Sequence, residues 1–307
     1  MTNAIRSTAL LAFSLLIAFM FAELVVRWVE PQDLSGSWRV TSDSGLLMNK
    51  SSGAAVHSLR DIRVKYQFGQ PGLRNSQVQP DAQNILVLGD SFTFGWLLSE
   101  HQTYVSQLQA NATRRFRDAK FNFVNAAAGG WGAAHYVAYA EEFGALANPT
   151  LVLVFLNFAD VGRSVRSGLW MVDRNKVRRN SLPVSSLKRI VNGFPGYQFL
   201  LESSHLMQLA RKFVVSVRSR EPAPHSASAT VVKKSDHADA IRLGEALFRH
   251  LADWSKQHSA QLVVLTTGWH QSISVESQDP STQAFMTQAE AFFAQNNIAF
   301  FPLEAVV

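Results

Sequence analysis

Short apolar runs of strand length alternate with longer amphipathic stretches through most of this chain. Asn84 to Leu88, the start of Phe123 to Gly132, Leu151 to Leu156, Gln261 to Thr266 and Ile298 to Phe301 are leucine-rich, β-branched or aromatic runs. Runs of that kind suit strands buried on both faces, as the strands of a parallel sheet are. Between them, Thr103 to Arg117, Ala134 to Leu146, Ala238 to His258 and Thr282 to Asn296 carry helical patterning, and Asn148 and Pro149 stop the second of these before the Leu151 run. The alternation predicts an α/β fold, a parallel sheet sandwiched by helices.

The amino terminus breaks this rhythm. Ala9 to Val26 is almost continuously apolar, follows Arg6, and is interrupted only by Ser14 and Glu23. That is close to the ~20 residues that cross a bilayer and longer than a typical signal-peptide core. Residues 1–29 are therefore expected to form a transmembrane anchor, a signal peptide being the alternative. Arg6 favours a cytoplasmic amino end and an extracytoplasmic domain, although Arg27 on the far side weakens the argument. Glu23 and Arg27, four residues apart, share one helix face and can pair. Glu30 to Gly53 is polar and rich in glycine and serine, so residues 30–63 are expected to be a tether or loosely packed lead-in. Residues 64–307 form the expected main domain, with an insertion at about 162–236. Within the insertion Tyr197 to Val217 has helical periodicity and Glu221 to Val231 is expected to be a loop.

Composition changes this picture only in part. With 307 residues and 47% apolar content the chain can bury a large core, and with no cysteine it has neither disulfides nor thiolate metal sites. No ligand-like spacing of histidines or carboxylates points to a metal, and no cofactor is implied. The net charge of +6 concentrates between Arg163 and Arg220, where twelve Lys and Arg face only Asp173 and Glu202. An extracytoplasmic location excludes nucleic acid as the partner of this surface. It leaves a membrane headgroup surface, an anionic polysaccharide, or plain solvated charge on a variable insertion.

The chemistry gathers where strands are expected to end. Asn84 to Leu88 runs directly into Gly89, Asp90 and Ser91. A serine at the carboxyl edge of an α/β sheet, near a helix start with free backbone N–H groups, is a seat for a nucleophile; it can equally be a helix cap. Two further expected strand ends carry the glycines of Asn125 to Gly132 and the polar Asn157.

These residues resemble the blocks of the SGNH, or GDSL, serine hydrolases and acyl transferases. Gly89-Asp90-Ser91 resembles the first block, Gly130 within N A A A G G W G the second, and Asn157 the third. The glycine match departs at Ala127, and Gly129 and Gly132 are neighbours that can be mistaken for Gly130. If the third strand ran two residues further, Ala159 before Asp160 would take the asparagine's place. Tyr66 to Arg74 is similar to the lead-in found in membrane-anchored bacterial members, and the resemblance spans roughly Val64 to Leu303. It implies an SGNH-like, flavodoxin-like sheet with Ser91 as nucleophile. It also implies an oxyanion hole of the Ser91 and Gly130 N–H groups and the Asn157 side chain, with Asp90 and Asp160 in support. It implies action on acyl esters, often acetyl, of a carbohydrate or lipid.

The family's last block, an Asp-x-x-His pair, has no match in this sequence. A serine hydroxyl needs a base, and His270, just past the Gln261 run, is the substitute best placed by sequence. Its plainer reading is a loop histidine beside Trp269. His135 and His101 are expected to be solvent-facing helix residues. Only six residues follow Phe301, and the apolar ending Ala305 to Val307 favours a chain that is a piece of a longer product; a degenerate site is the other explanation. Two further functions stay open: a non-catalytic SGNH-like module binding polysaccharide or an assembly partner at the membrane, and, more weakly, a flavodoxin-like ligand-binding domain.

Overall fold

The computed structural model describes residues 2–157, 159–173, 176–180, 182, 194, 196–220, 234–266 and 280–302. The chain opens with α1 (Thr2–Val29), followed by five short strands, β1 (Arg39–Thr41), β2 (Leu47–Asn49), β3 (Gly53–Leu59), β4 (Ile62–Gly69) and β5 (Leu73–Arg74). Next come β6 (Gln83–Leu88), α2 (Ser91–Phe94), α3 (Tyr104–Arg115), β7 (Phe121–Asn125), α4 (Ala133–Phe143), β8 (Pro149–Leu156) and α5 (Ala159–Ser167). The chain continues through β9 (Trp170–Asp173), β10 (Lys176–Arg179), α6 (Tyr197–Ser203), α7 (His205–Arg220) and α8 (Lys234–Gln257). It closes with β11 (Gln261–Thr266), α9 (Pro280–Gln295) and β12 (Ala299–Pro302).

The main sheet has the order β12-β11-β8-β6-β7 with every pairing parallel. Counted along the sheet's own strands this is 2-1-3-4-5, the flavodoxin-like order, whose switch point lies between β6 and β8. Both faces are buried, which is why these strands are nearly all apolar. Leu86, Leu88, Val152, Val154, Leu262 and Val264 meet α4, α8 and α9 on one side, while Ile85, Val87, Leu153 and Phe155 meet α3 on the other. The expected α/β class and its parallel sheet are present as read.

A second sheet was not read from the sequence. β3, β4 and β5 pair antiparallel, and β1 pairs with β2 in a separate hairpin. The stretch expected to be a loosely packed lead-in is thus ordered strand, because its few apolar residues are spaced to meet the core. Leu46 and Met48 join the main cluster, and Trp38, Ala55, Val64, Tyr66 and Phe68 form a cluster with Phe94 and Ala127. Phe94 belongs to α2, so this sheet packs directly against the turn that carries Ser91.

In the insertion, β9 and β10 form a hairpin, and the expected helix at Tyr197 to Val217 is two helices broken at Ser204. Residues 221–231, expected to be a loop, lie outside the described residues. Ile5–Val29 of α1 is long and apolar enough to cross a membrane, and that stretch is unburied by the rest of the chain. Its far end is held: the Glu23 carboxylate accepts from Ser204 Oγ at 2.7 Å and from the His205 and Leu206 N–H groups at 2.9 Å each. Glu23 thereby caps the first turn of α7 while also facing Arg27 at 3.6 Å.

Candidate active site

Ser91 stands at the first position of α2, immediately past β6. Asp90 is the N-cap, and its Oδ1 accepts from the Phe92 N–H at 2.9 Å. Gly89 has to be glycine, since a Cβ there would sit 1.9 Å from Thr93 Oγ1. The serine is therefore part of a tight strand-to-helix turn, and capping falls to Asp90 rather than to Ser91. Among the described residues neither the Ser91 N–H nor its Oγ has a hydrogen-bond partner.

The β7 end supplies the glycine turn. Gly130 adopts φ +77°, the left-handed region where glycine is unstrained, and its N–H is unpartnered among the described residues. The neighbours differ from it. Gly132 donates its N–H to His135 Nδ1 at 3.2 Å, and a Cβ on it would meet the Asp160 carbonyl oxygen at 2.2 Å. Gly129 lies under the Trp96 ring.

β8 ends at Leu156, so the longer register does not hold and Ala159 opens α5. Asn157 accepts at Oδ1 from the Ala159 N–H at 3.0 Å, which leaves its Nδ2 unpartnered among the described residues. Since β6 lies between β7 and β8, the three strand ends carrying Ser91, Gly130 and Asn157 are neighbours at one sheet edge.

One side chain ties the three loops together. Arg163 Nη1 donates to Asp90 Oδ2 at 2.7 Å, to Asp160 Oδ1 at 3.0 Å and to the Trp131 carbonyl at 3.3 Å. Asp160 Oδ2 in turn accepts from the Asn157 N–H and the Tyr136 hydroxyl, each at 2.7 Å. Both carboxylates are buried. Burial, and then the like charge of Asp90, push the Asp160 carboxyl up to about 8 against the pull of its three donors.

A second set of bonds reaches the site from the antiparallel sheet. The Tyr66 hydroxyl accepts from the Leu97 N–H at 2.9 Å and bonds His57 Nδ1 at 2.7 Å. Arg74, buried, stacks on the Tyr66 and Phe94 rings at 4.4 and 5.2 Å and donates to the Leu98 carbonyl at 3.2 Å. Desolvation lowers the Arg74 guanidinium to about 10. Asn49 Nδ2 donates to the Ala127 carbonyl at 3.0 Å. Arg163, Tyr66 and Arg74 were not marked as site residues by sequence; the only hint was that Tyr66 and Arg74 bound the lead-in segment.

The histidines sort differently from expectation. His270 lies outside the described residues. His101 is exposed, as expected. His135 is only partly exposed: it stacks on Trp131, and burial together with Arg39 pushes it down to about 4. Because its Nδ1 accepts from Gly132, the neutral ring carries its proton on Nε2, where it is a donor and no base. His57, which the sequence reading passed over, is buried against Trp96 with ring centroids 4.4 Å apart. With the Tyr66 hydroxyl accepting from Leu97 N–H and donating its hydrogen bond to His57 Nδ1, the neutral His57 ring is likewise a donor at Nε2.

No family model matches this chain, and no curated protein matches it. Among solved structures, TesA aligns at 16% identity over 71% of this chain and 77% of its own, with a TM-score of 0.41. The psychrotrophic esterase EstA from Pseudoalteromonas sp. aligns at 12% identity over 72% and 76%, with a TM-score of 0.37. A mutant of Axe2, an acetyl-xylooligosaccharide esterase from Geobacillus, aligns at 15% identity over 73% and 77%, with a TM-score of 0.38. These are loose likenesses of outline, and the fold class stands on the chain's own strand order.

Proposed function

We propose that this chain is a membrane-anchored, extracytoplasmic serine esterase or O-acyltransferase of SGNH type, with Ser91 as nucleophile. The observation that carries this reading is Arg163 binding Asp90, Trp131 and Asp160 at once, which fixes the loops of Ser91, Gly130 and Asn157 against one another. Ser91 Oγ attacks the acyl carbonyl carbon while a base takes its proton, and His270 is the residue proposed for that role. The carbonyl oxygen becomes an oxyanion that accepts from the Ser91 and Gly130 N–H groups and from Asn157 Nδ2. Collapse expels the alcohol, which takes back the proton, and leaves Ser91 acylated. Water or a second hydroxyl then receives the acyl group through the same steps in reverse. The apolar helix Ile5–Val29 with Arg6 on its short side supports an anchor whose domain lies outside the cytoplasm.

Hydrolysis of p-nitrophenyl acetate tests the assignment. Ser91→Ala is expected to abolish turnover, and Asn157→Ala to lower it by about 10²- to 10³-fold, the cost of one oxyanion donor. Full turnover in Ser91→Ala overturns the reading. One observation favours a second reading, a non-catalytic module binding polysaccharide or a partner: the sequence has no Asp-x-x-His pair. Equal, near-zero turnover in the parent and in Ser91→Ala selects that reading.

A further inference from the structure

A cleft of about 270 Å³ opens beside the glycine turn, between the segment Gly36 to Arg39, Leu47, Trp96 and Arg211. It adjoins the candidate oxyanion donors. Trp96 forms one wall, and its ring lies 3.3 Å from where a Cβ on Gly129 would stand. Arg39 forms another, with Nη2 3.7 Å from where a Cβ on Gly130 would stand. Trp96 is 44% exposed, held from below by Trp38 and His57. Among the described residues Arg39 is exposed and has no carboxylate partner, and Arg211, at the rim, donates to the Ser35 carbonyl at 3.4 Å. Among the described residues the cleft's lining holds two guanidinium groups and no carboxylate. Glu202 approaches from behind Gly36, but its Oε1 is occupied by the Val56 N–H at 2.8 Å.

We infer that this cleft binds a sugar ring carrying a carboxylate, so that the ester acted on at Ser91 belongs to an acidic glycan; this rests on the esterase or acyltransferase reading above. The physical grounds are complementary. An indole face offers a flat apolar surface to the C–H face of a ring. A guanidinium presents paired donors that match a carboxylate, and Arg39 has no competing partner to give up. A volume just under the usual ~300–1,000 Å³ of small-molecule pockets suits a single ring better than an extended chain. Concavity, with the aromatic wall, favours a glycan over an anionic bilayer, which would meet a flat or convex basic surface.

Calorimetric titration of the full chain in detergent micelles tests this, with oligogalacturonate as probe and a cello-oligosaccharide of equal length as the neutral control. The acidic oligomer is expected to bind, to weaken with added salt, and to lose about tenfold or more in affinity in Arg39→Ala, the worth of a hydrogen bond to a charged group. Arg211→Ala and Trp96→Ala should each weaken it as well. Equal binding of the neutral oligomer, no binding of either, or full affinity in Arg39→Ala overturns the inference. Displacement of the oligomer by phosphatidylglycerol added to the micelles, but not by phosphatidylcholine, would assign the patch to lipid and overturn it too. Turnover at Ser91 is read separately on the parent chain: binding without turnover sustains the cleft and removes the catalytic reading.

Discussion

The five-stranded parallel sheet and the three-stranded antiparallel sheet bear on the same serine in different ways. The five-stranded parallel sheet positions the proposed reactive groups: Ser91, Gly130 and Asn157 all lie past the carboxyl ends of its strands, on either side of the switch point. The antiparallel sheet contributes none of these groups. It holds the segment after the Ser91 turn instead, through the Tyr66 hydroxyl on Leu97 N–H, Arg74 on the Leu98 carbonyl and the packing of Tyr66 and Phe68 on Phe94. Strand ends at a switch point are open by construction, and a loop left open needs bracing from outside the sheet. Here the bracing comes from Arg163 on one side and the antiparallel sheet on the other.

The largest effects are expected at the side chains proposed to be catalytic. Loss of the base should slow turnover by about a hundredfold or more, so His270→Gln, measured as p-nitrophenyl acetate turnover beside Ser91→Ala, identifies or dismisses that histidine. Arg163→Ala should be the most damaging change to stability, since it leaves the Asp90 carboxylate buried without its cation and takes a donor from Asp160. A loss of about 3–5 kcal/mol is expected, read by denaturant unfolding. Tyr66→Phe removes the hydroxyl between His57 and Leu97 and should cost about 1–3 kcal/mol, with a fall in turnover if the antiparallel sheet positions the loop. An unchanged rate in a destabilised Tyr66→Phe would reduce that sheet to scaffolding.

Asp160 gives the comparison a pH axis. Its folded value of about 8 lies above the ordinary 3.8, so the folded state holds a proton that the unfolded chain releases. The associated stability is complete below about pH 4 and is lost progressively as pH rises to about 8. The unfolding free energy of Asp160→Asn should therefore gain on the parent's across that window, and parallel pH profiles would contradict it. The smallest effect is expected far from the site. Glu23→Gln weakens the cap on α7 and should cost about 1 kcal/mol, seen as a lower midpoint of thermal unfolding in micelles.

Legibility in the sequence divides along the same line. The parallel strands declare themselves because both faces are buried, so that Asn84 to Leu88 and Gln261 to Thr266 are recognisable runs ending near their observed limits. Ser91 and Asn157 follow from those ends by counting. The antiparallel strands β1 and β2 are three residues each, and the core residues Trp38, Leu46 and Met48 around them stand among Ser, Gly and Asp, so local pattern reads as a linker. The Arg163 tie was out of reach for another reason. Its bond to Asp90 joins residues 73 apart, and in the sequence Arg163 is one of many basic residues in a charged insertion. His135 looked like an exposed helix residue because nothing in its own turn announces Trp131 stacking on it.

Labelling with a fluorophosphonate probe, with mapping of the modified residue, tests the central claim most directly. The account predicts that the 307-residue chain is labelled at Ser91 and that Ser91→Ala is not. Absence of labelling in the parent, or equal labelling of the two, would contradict it.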